Sequence, residues 1–225
     1  MHKTLRYSLL ASAIVLLFGV SGGAQAQGVP QAPNLSFFIT SVGSGNGADL
    51  GVISGADAHC QELATTAGAG SKVWRAYLST ADSPTAKGAD ARDRIGKGPW
   101  QNAKGIVVAT SVDDLHSANN KLGRDNTLTE RGTMVAGFGF SPNWHDALTG
   151  STAEGTAFSG SNLNLTCNNW TSREFGKAML GHIDRRGGAD NDFQRSWNSA
   201  HQSRGCSQAD LIATGGNGLY YCFAQ

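Results

Sequence analysis

Residues 54–79, SGADAHCQELATTAGAGSKVWRAYLS, contain a cysteine-bearing helix followed by a strand. The apolar residues of the first half recur at helical spacing: Ala56, Cys60, Leu63, Ala64 and Ala67. Ser54 is the predicted N-cap of this helix, and the glycines that follow residue 67 are expected to end it. The spacing places Cys60 and Leu63 on the buried face.

The second half of this stretch alternates between two faces. Trp74, Ala76 and Leu78 lie on one face, and Arg75 and Tyr77 lie on the other. This period of two is typical of a half-buried strand. We therefore expect Trp74 and Leu78 to be core residues, like Leu63 on the helix.

The chain ends in a second alternating run, residues 218–223. Leu219, Tyr221 and Phe223 share one face and Cys222 lies on the other, which predicts a terminal strand in the sheet.

Three further segments are shorter or less regular. Residues 37–40 and 106–109 are predicted strands, and residues 83–98 contain either a short helix or an ordered loop. From residue 109 to about residue 200 the chain has little periodicity, yet it contains tryptophan and phenylalanine residues that a disordered linker would lack. We expect ordered loops with short strands.

Residues 1–26 have the three parts of a secretory signal peptide. Lys3 and Arg6 form the basic start, residues 9–20 the apolar centre, and residues 24–26 the small-residue cleavage site. The apolar run is short for a membrane span, although a retained N-terminal anchor is the alternative.

The mature chain is expected to begin near Gln27 and to have no membrane span. Residues 27–36 are predicted to be a tether, and residues 37–225 a single domain. Removal of the two basic residues of the signal changes the formal charge from +1 to −1. Lys and Arg are scattered among Asp and Glu, so no nucleic-acid partner is predicted.

Four cysteines follow the signal peptide: Cys60, Cys167, Cys206 and Cys222. In an oxidising compartment four thiols most often form two disulfides, and three pairings are open. Metal binding by all four is the alternative, but no C-x-x-C pair is present.

Several local motifs occur in an order that points to a known fold. Residues 59–79 look like the corresponding helix and strand of the endostatin domain of collagens, and so does the stretch from Leu148 to Thr171. Residues 197–199, Trp-Asn-Ser, occupy the place where lectins carry Trp-Asn-Asp, and residues 218–223 look like their closing strand. The chain resembles the C-type lectin-like fold, and is also similar to secreted bacterial lectin-like proteins.

This resemblance implies an α+β fold, a single C-type lectin-like domain. It implies a small mixed or antiparallel sheet, one or two helices, long ordered loops and two disulfides. The implied pairs are nested, with Cys60–Cys222 outside Cys167–Cys206. The implied function is that of a secreted or periplasmic, non-enzymatic binding module, with a glycan or another cell-surface ligand as its partner.

The calcium-dependent sugar site of such lectins is not predicted here. The chain lacks the Glu-Pro-Asn or Gln-Pro-Asp tripeptide, and Ser199 stands where an acidic ligand would be. Asn198 could still coordinate a cation, and four other side chains could add oxygens: Glu154, Asn164, Asp190 and Asp192. We expect no tightly bound cofactor, and at most weak calcium or zinc binding.

Histidines and aspartates form a looser constellation. Imidazole and carboxylate groups suit zinc, which endostatin domains bind. The residues concerned are His145, Asp146, His182, Asp184 and His201. Their spacing matches no compact zinc motif, and such pairs also serve as hydrogen bonds that hold loops.

No enzyme is predicted, because the chain has no G-x-S-x-G motif and all cysteines are assigned to disulfides. Asp113, Asp114 and His116 could act as acid and base, but a capped turn explains them equally well. A zinc-dependent hydrolase using His145, Asp146, His182 and His201 is one alternative, and a structural envelope or matrix protein is another. Loops over residues 138–200 are the expected binding surface. Its candidate residues are Asn168, Asn169, Trp197, Asn198, His145 and Asp146.

Overall fold

The computed structural model describes residues 33–83, 86–159 and 164–225, together with Met1. The predicted signal peptide and the start of the predicted tether lie outside the described residues. The elements are, in chain order, β1 (Phe37–Ile39), α1 (Val52–Thr66), β2 (Trp74–Ala76), α2 (Ala91–Arg94), β3 (Trp100–Gln101), β4 (Val107–Ala109), α3 (Val112–Leu115), β5 (Asp146–Leu148), α4 (Cys167–Trp170), β6 (Met179–His182), β7 (His201–Gln202), α5 (Gln208–Thr214) and β8 (Gly216–Ala224).

The fold is mixed α+β, as predicted, but it has more helices than the one or two expected. Five are present within the described residues, and all except α1 are short. The three shortest, α2, α3 and α4, have four residues each, so they carry too little sequence for a helical period to be recognised.

Helix α1 presents the predicted buried face but begins earlier than predicted. Its buried residues are Ala56, Cys60, Leu63 and Ala64. The N-cap is Gly51, in the left-handed conformation, because the Gly55 amide already donates to the Gly51 carbonyl. The prediction that Ser54 caps the helix was therefore wrong.

Strand β8 is the centre of the main sheet. It pairs antiparallel with β1 and β2 and parallel with β5, and the sheet continues through β6 to β7. This confirms both the predicted terminal strand and the predicted mixed sheet. Strands β3 and β4 form a separate two-stranded sheet.

Both faces of the sheet are buried. Tyr220 and Cys222 of β8 belong to the core that contains α1, whereas Tyr221 and Phe223 belong to a second core on the other side. Tyr77 lies in this second core and is fully buried. The partly exposed Arg75 agrees with the half-buried strand predicted for this region, but Tyr77, just beyond β2, is buried because distant segments cover that face.

The two disulfides are Cys60–Cys222 and Cys167–Cys206. This is the nested pairing that the resemblance implied. The outer bond joins α1 to β8, and the inner bond joins α4 to the segment that precedes α5. Disulfides of this kind agree with an oxidising compartment such as the periplasm or the extracellular space. No described helix has both the length and the apolar character that a membrane span requires.

The last residues of the predicted tether pack against the domain. Leu35 is buried in the first core, and the Ser36 carbonyl accepts a hydrogen bond from the Ala224 amide. The Ser36 amide donates to the Gln101 carbonyl. The packed part of the chain therefore extends to Leu35.

Candidate metal centre

Strands β5, β6 and β7 bring three of the predicted metal-binding residues together. The register pairs Asp146 of β5 with His182 of β6, and Leu180 of β6 with His201 of β7. Paired residues on neighbouring strands project to the same face of a sheet, and diagonal neighbours remain within reach of long side chains. His145 directly precedes β5, and its carbonyl accepts a hydrogen bond from the Ile183 amide.

Three imidazoles converge on one carboxylate oxygen. Asp146 Oδ1 lies 3.3 Å from His145 Nε2, 3.5 Å from His182 Nε2 and 3.5 Å from His201 Nε2. The His145 and His182 rings are stacked with their centroids 4.1 Å apart, and the His182 and His201 centroids are 4.9 Å apart. In each ring, it is the Nε2 atom that points at the carboxylate.

The other ring nitrogen of two of these histidines faces a backbone carbonyl. His182 Nδ1 lies 2.8 Å from the Gln194 carbonyl oxygen, and His201 Nδ1 lies 3.1 Å from the Gln202 carbonyl oxygen. A carbonyl can only accept, so Nδ1 carries the proton in both rings. A neutral imidazole has one N–H, and each Nε2 therefore presents a lone pair.

The third histidine is oriented by a carboxylate. His145 Nδ1 lies 3.2 Å from Asp184 Oδ1, which leaves its Nε2 lone pair facing Asp146. Burial raises the pKa of Asp184, but hydrogen bonds from His145 and the Phe138 amide outweigh it, so the pKa is lowered. Asp184 is thus an ionised acceptor beside the ring, which is the outer partner that metal-bound histidines usually have.

The centre of the cluster is buried and lacks protein donors. Asp146 is 2 % exposed and His182 is 1 % exposed. Among the described residues, neither carboxylate oxygen of Asp146 nor Nε2 of His182 has a hydrogen-bond partner. Leaving such groups buried without a partner costs free energy, so each one requires an explanation.

The surroundings affect the titration of two of the histidines in opposite directions. Burial, together with the nearby His145 ring, lowers the pKa of His182. The Asp146 carboxylate raises the pKa of His201, whose side chain is 31 % exposed. A proton on His201 is therefore the competitor of a metal ion for the Asp146 carboxylate.

The separations from Asp146 match the edges of a tetrahedral metal site, although His201 lies outside the group of ligand atoms that are all within 4.8 Å of one another. Zinc lies about 2.0–2.1 Å from nitrogen and oxygen ligands, so the ligand atoms of a tetrahedron are about 3.3–3.4 Å apart. The three Nε2–Oδ1 separations lie between 3.3 and 3.5 Å. The Asp146 carboxylate can thus share one cation with the imidazoles of His145 and His182, since the three ligand atoms all lie within 4.8 Å of one another.

Trp197 and Asn198, which were predicted to contact a ligand, are part of the interior. Trp197 is buried, and its carbonyl accepts a hydrogen bond from the Tyr221 hydroxyl. Asn198 is buried as well, and its amide donates to the Tyr77 hydroxyl and to the Thr152 carbonyl. Trp197 is therefore a core-packing residue in the structure.

Asn168 and Asn169 lie in α4, which is a left-handed turn. All four residues of α4 have positive φ values, between 46° and 66°, and asparagine tolerates this conformation better than most residues. The Asn169 side chain accepts from the Ala81 amide and donates to the Ala81 carbonyl, so it holds a neighbouring loop. Asn168 is exposed and donates to the Thr171 hydroxyl. The six predicted ligand contacts therefore lie in three separate places.

Several side chains proposed as calcium ligands or as acid and base have structural partners. Asp190 and Asp192 both pair with Arg195. The His116 ring accepts a hydrogen bond of 2.7 Å from the Tyr77 hydroxyl. Asp114 accepts from the Thr110 amide and hydroxyl, as expected for a capped turn.

The four inner residues of the cluster could be named from the sequence, but the roles of its outer partners could not. Gln194 and Gln202 act through backbone carbonyls, for which the sequence has no signal. Asp184 was named beside His182, whereas it orients His145.

No protein-family model matches the chain, and no curated protein has significant sequence similarity to it.

Proposed function

We propose that His145, Asp146, His182 and His201 bind one divalent transition-metal ion, and that this ion is a built-in part of a non-catalytic binding module. The observation that carries the proposal is the buried Asp146 carboxylate, which faces three Nε2 lone pairs and has no protein donor within the described residues. Four electron-rich atoms that point at one another repel. A cation between them turns this repulsion into coordination.

The donor set favours zinc over calcium. Three imidazole nitrogens and one carboxylate oxygen are the ligands that zinc prefers in tetrahedral sites. Calcium takes six to eight oxygen ligands, and the inner cluster offers the carboxylate of one residue, Asp146. Zinc is therefore the reference ion for this site.

Burial of three of the inner ligands, with His201 as the proposed fourth, favours a closed site over a hydrolytic one. A catalytic zinc keeps one position for water or substrate, and usually has three protein ligands. Here His145, Asp146 and His182 are buried, and only His201 of the four is appreciably exposed. This supports a binding module and disfavours the zinc-dependent hydrolase.

The same proposal retains the C-type lectin-like fold and a secreted or periplasmic location. The nested disulfides and the central closing strand support that fold assignment. The internal hydrogen bonds of Asn198 support ligand binding without the usual calcium site. A glycan or a cell-surface molecule remains the proposed class of ligand.

Titration calorimetry on chelator-treated protein tests the metal site. We expect one equivalent of zinc to bind, with no tight uptake of calcium under the same conditions. Asp146→Asn removes the anionic ligand and preserves the side-chain size. It should weaken zinc binding by more than about 100-fold, the upper range for loss of a mere outer partner.

His59→Gln is the matched control. His59 lies on α1 and bonds to the Val42 carbonyl, so its loss should leave zinc binding unchanged. Absence of zinc uptake by the unaltered protein, or equal uptake by Asp146→Asn and His59→Gln, would refute the proposed site.

A further inference from the structure

Two surface loops are attached to the outer nitrogens of the metal-binding imidazoles. The first, residues 184–195, is here called the basic loop after its three arginines, although three aspartates balance their charge, and the second, the aromatic loop, is residues 137–140. His182 Nδ1 donates to the Gln194 carbonyl near the end of the basic loop. His145 Nδ1 donates to Asp184 at its start, and the other oxygen of Asp184 accepts from the Phe138 amide at 2.7 Å.

The other hydrogen bonds of the basic loop lie within it or lead away from the imidazoles, such as those from the Arg185 guanidinium to the Arg195 carbonyl and to Asn120 Oδ1. The loop contains no helix or strand, and Phe193 is 72 % exposed. Its ion pairs join Arg195 to Asp190 and Asp192, whose side chains are almost fully exposed. Exposed pairs of this kind contribute little to stability. The contacts to Asp184 and Gln194 are the links between the loop and the imidazole rings, and the Arg185 amide donates in addition to the His182 carbonyl.

Without a metal ion, a proton on Nε2 of any of the three histidines can satisfy Asp146, but only a proton on Nε2 of His201 leaves both links in place. A neutral imidazole has one proton, and in His145 and His182 that proton is on Nδ1, where it makes the outer hydrogen bond. To donate to Asp146, either ring must carry the proton on Nε2 instead. The Nδ1 lone pair would then face Asp184 or the Gln194 carbonyl, and the link to the loop would be lost.

We propose that metal binding orders the basic loop and the aromatic loop, and so controls the surface that they present. This inference rests on the proposed metal site. The bound ion takes the three Nε2 lone pairs, which holds every proton on Nδ1 and keeps both links intact. Outer partners of metal-bound histidines act in this way on ring orientation. The controlled surface carries Phe138, Phe140 and Phe193, all of them exposed.

Limited trypsin digestion tests this coupling because the basic loop contains Arg185, Arg186 and Arg195. The digestion is run at pH 8, where free imidazole is neutral, with excess zinc or with chelator. Lys97 and Lys104 are exposed residues outside both loops and serve as internal control sites. If cleavage requires an opening that releases the ion, zinc at 100 times its dissociation constant should slow cleavage in the loop about 100-fold. Cleavage at the two lysines should be unchanged.

A variant separates the two links. Asp184→Ala keeps all four inner ligands, so it should still take up one zinc ion, with affinity about 10- to 100-fold lower. With saturating zinc, protection after Arg185 and Arg186 should fall, because these bonds adjoin the lost anchor. Protection after Arg195, which adjoins Gln194, should remain.

The outcomes distinguish this inference from the site on which it rests. No zinc uptake in calorimetry refutes the site, and the coupling with it. Zinc uptake with unchanged cleavage in the basic loop refutes the coupling and leaves the site intact. Equal protection at Lys97, Lys104 and the loop arginines also refutes it, since the ion would then stabilise the whole domain uniformly.

Discussion

The two halves of β8 lead to regions that are stabilised in different ways. Its carboxyl-terminal half pairs with β1 and β2, where Phe38 and Trp74 are buried and Cys222 is bonded to Cys60. Its amino-terminal half leads through β5 and β6 to β7, where Asp146 and two buried histidines lie beside the partly exposed His201. The first, here called the apolar region, depends on apolar burial and a covalent bond, neither of which requires a bound ion. The second, the polar region, contains groups that only an ion or a proton can satisfy.

The largest expected effect is loss of the outer disulfide. A Cys60→Ala, Cys222→Ala double variant should lose about 5 kcal/mol of unfolding free energy, because a bond across 162 residues strongly restricts the unfolded chain. Guanidinium unfolding should give the same loss with zinc and with chelator. A loss seen with chelator alone would show that the two regions are not independent.

Leu63→Ala tests the apolar region without touching a covalent bond. Leu63 is buried on α1, so the change should cost about 2–5 kcal/mol. Calorimetry on the folded variant should give unchanged zinc affinity. If zinc binding fell while the melting temperature did not, the comparison of the two regions would be wrong.

Metal removal should affect only the polar region. Zinc at 100 times its dissociation constant should raise the unfolding free energy by about 2.7 kcal/mol, measured by urea unfolding. Asp146→Asn should abolish this gain. In chelator the same variant should be at least as stable as the unaltered protein, because its amide can donate to a facing Nε2 and the buried charge is gone.

The smallest expected effect is on pH dependence and concerns His116. Burial lowers the pKa of His116, so below about pH 6.5 the unfolded state takes up the proton more readily than the folded state. Stability should therefore fall as the pH drops, with a slope of at most about 1.4 kcal/mol per pH unit from this one group.

His116→Gln should flatten this part of the profile, measured by urea unfolding between pH 8 and pH 5 in chelator. The difference between the two profiles isolates His116 from His182, whose pKa is lowered in the same direction. Identical profiles would show that His116 does not contribute.

Local periodicity was sufficient to predict a helix and a strand of the apolar region. The buried face of α1 and the alternation in β8 could be predicted because each is a repeat within a few residues. The burial of Tyr77 could not be predicted in this way, because it depends on distant segments that cover the second face of the sheet. The disulfide pairing came from the resemblance, since the residues alone allow three pairings.

The sequence by itself determined the donors of the candidate site, namely histidines and aspartates scattered between residues 145 and 201. Only the tertiary structure decided which of them converge. Pairing of Asp146 with His182 sets which side chains share a face, and a shift of one residue would send them to opposite faces. It also decided where the protons lie, because the acceptors opposite His182 and His201 are backbone carbonyls, which every residue type possesses.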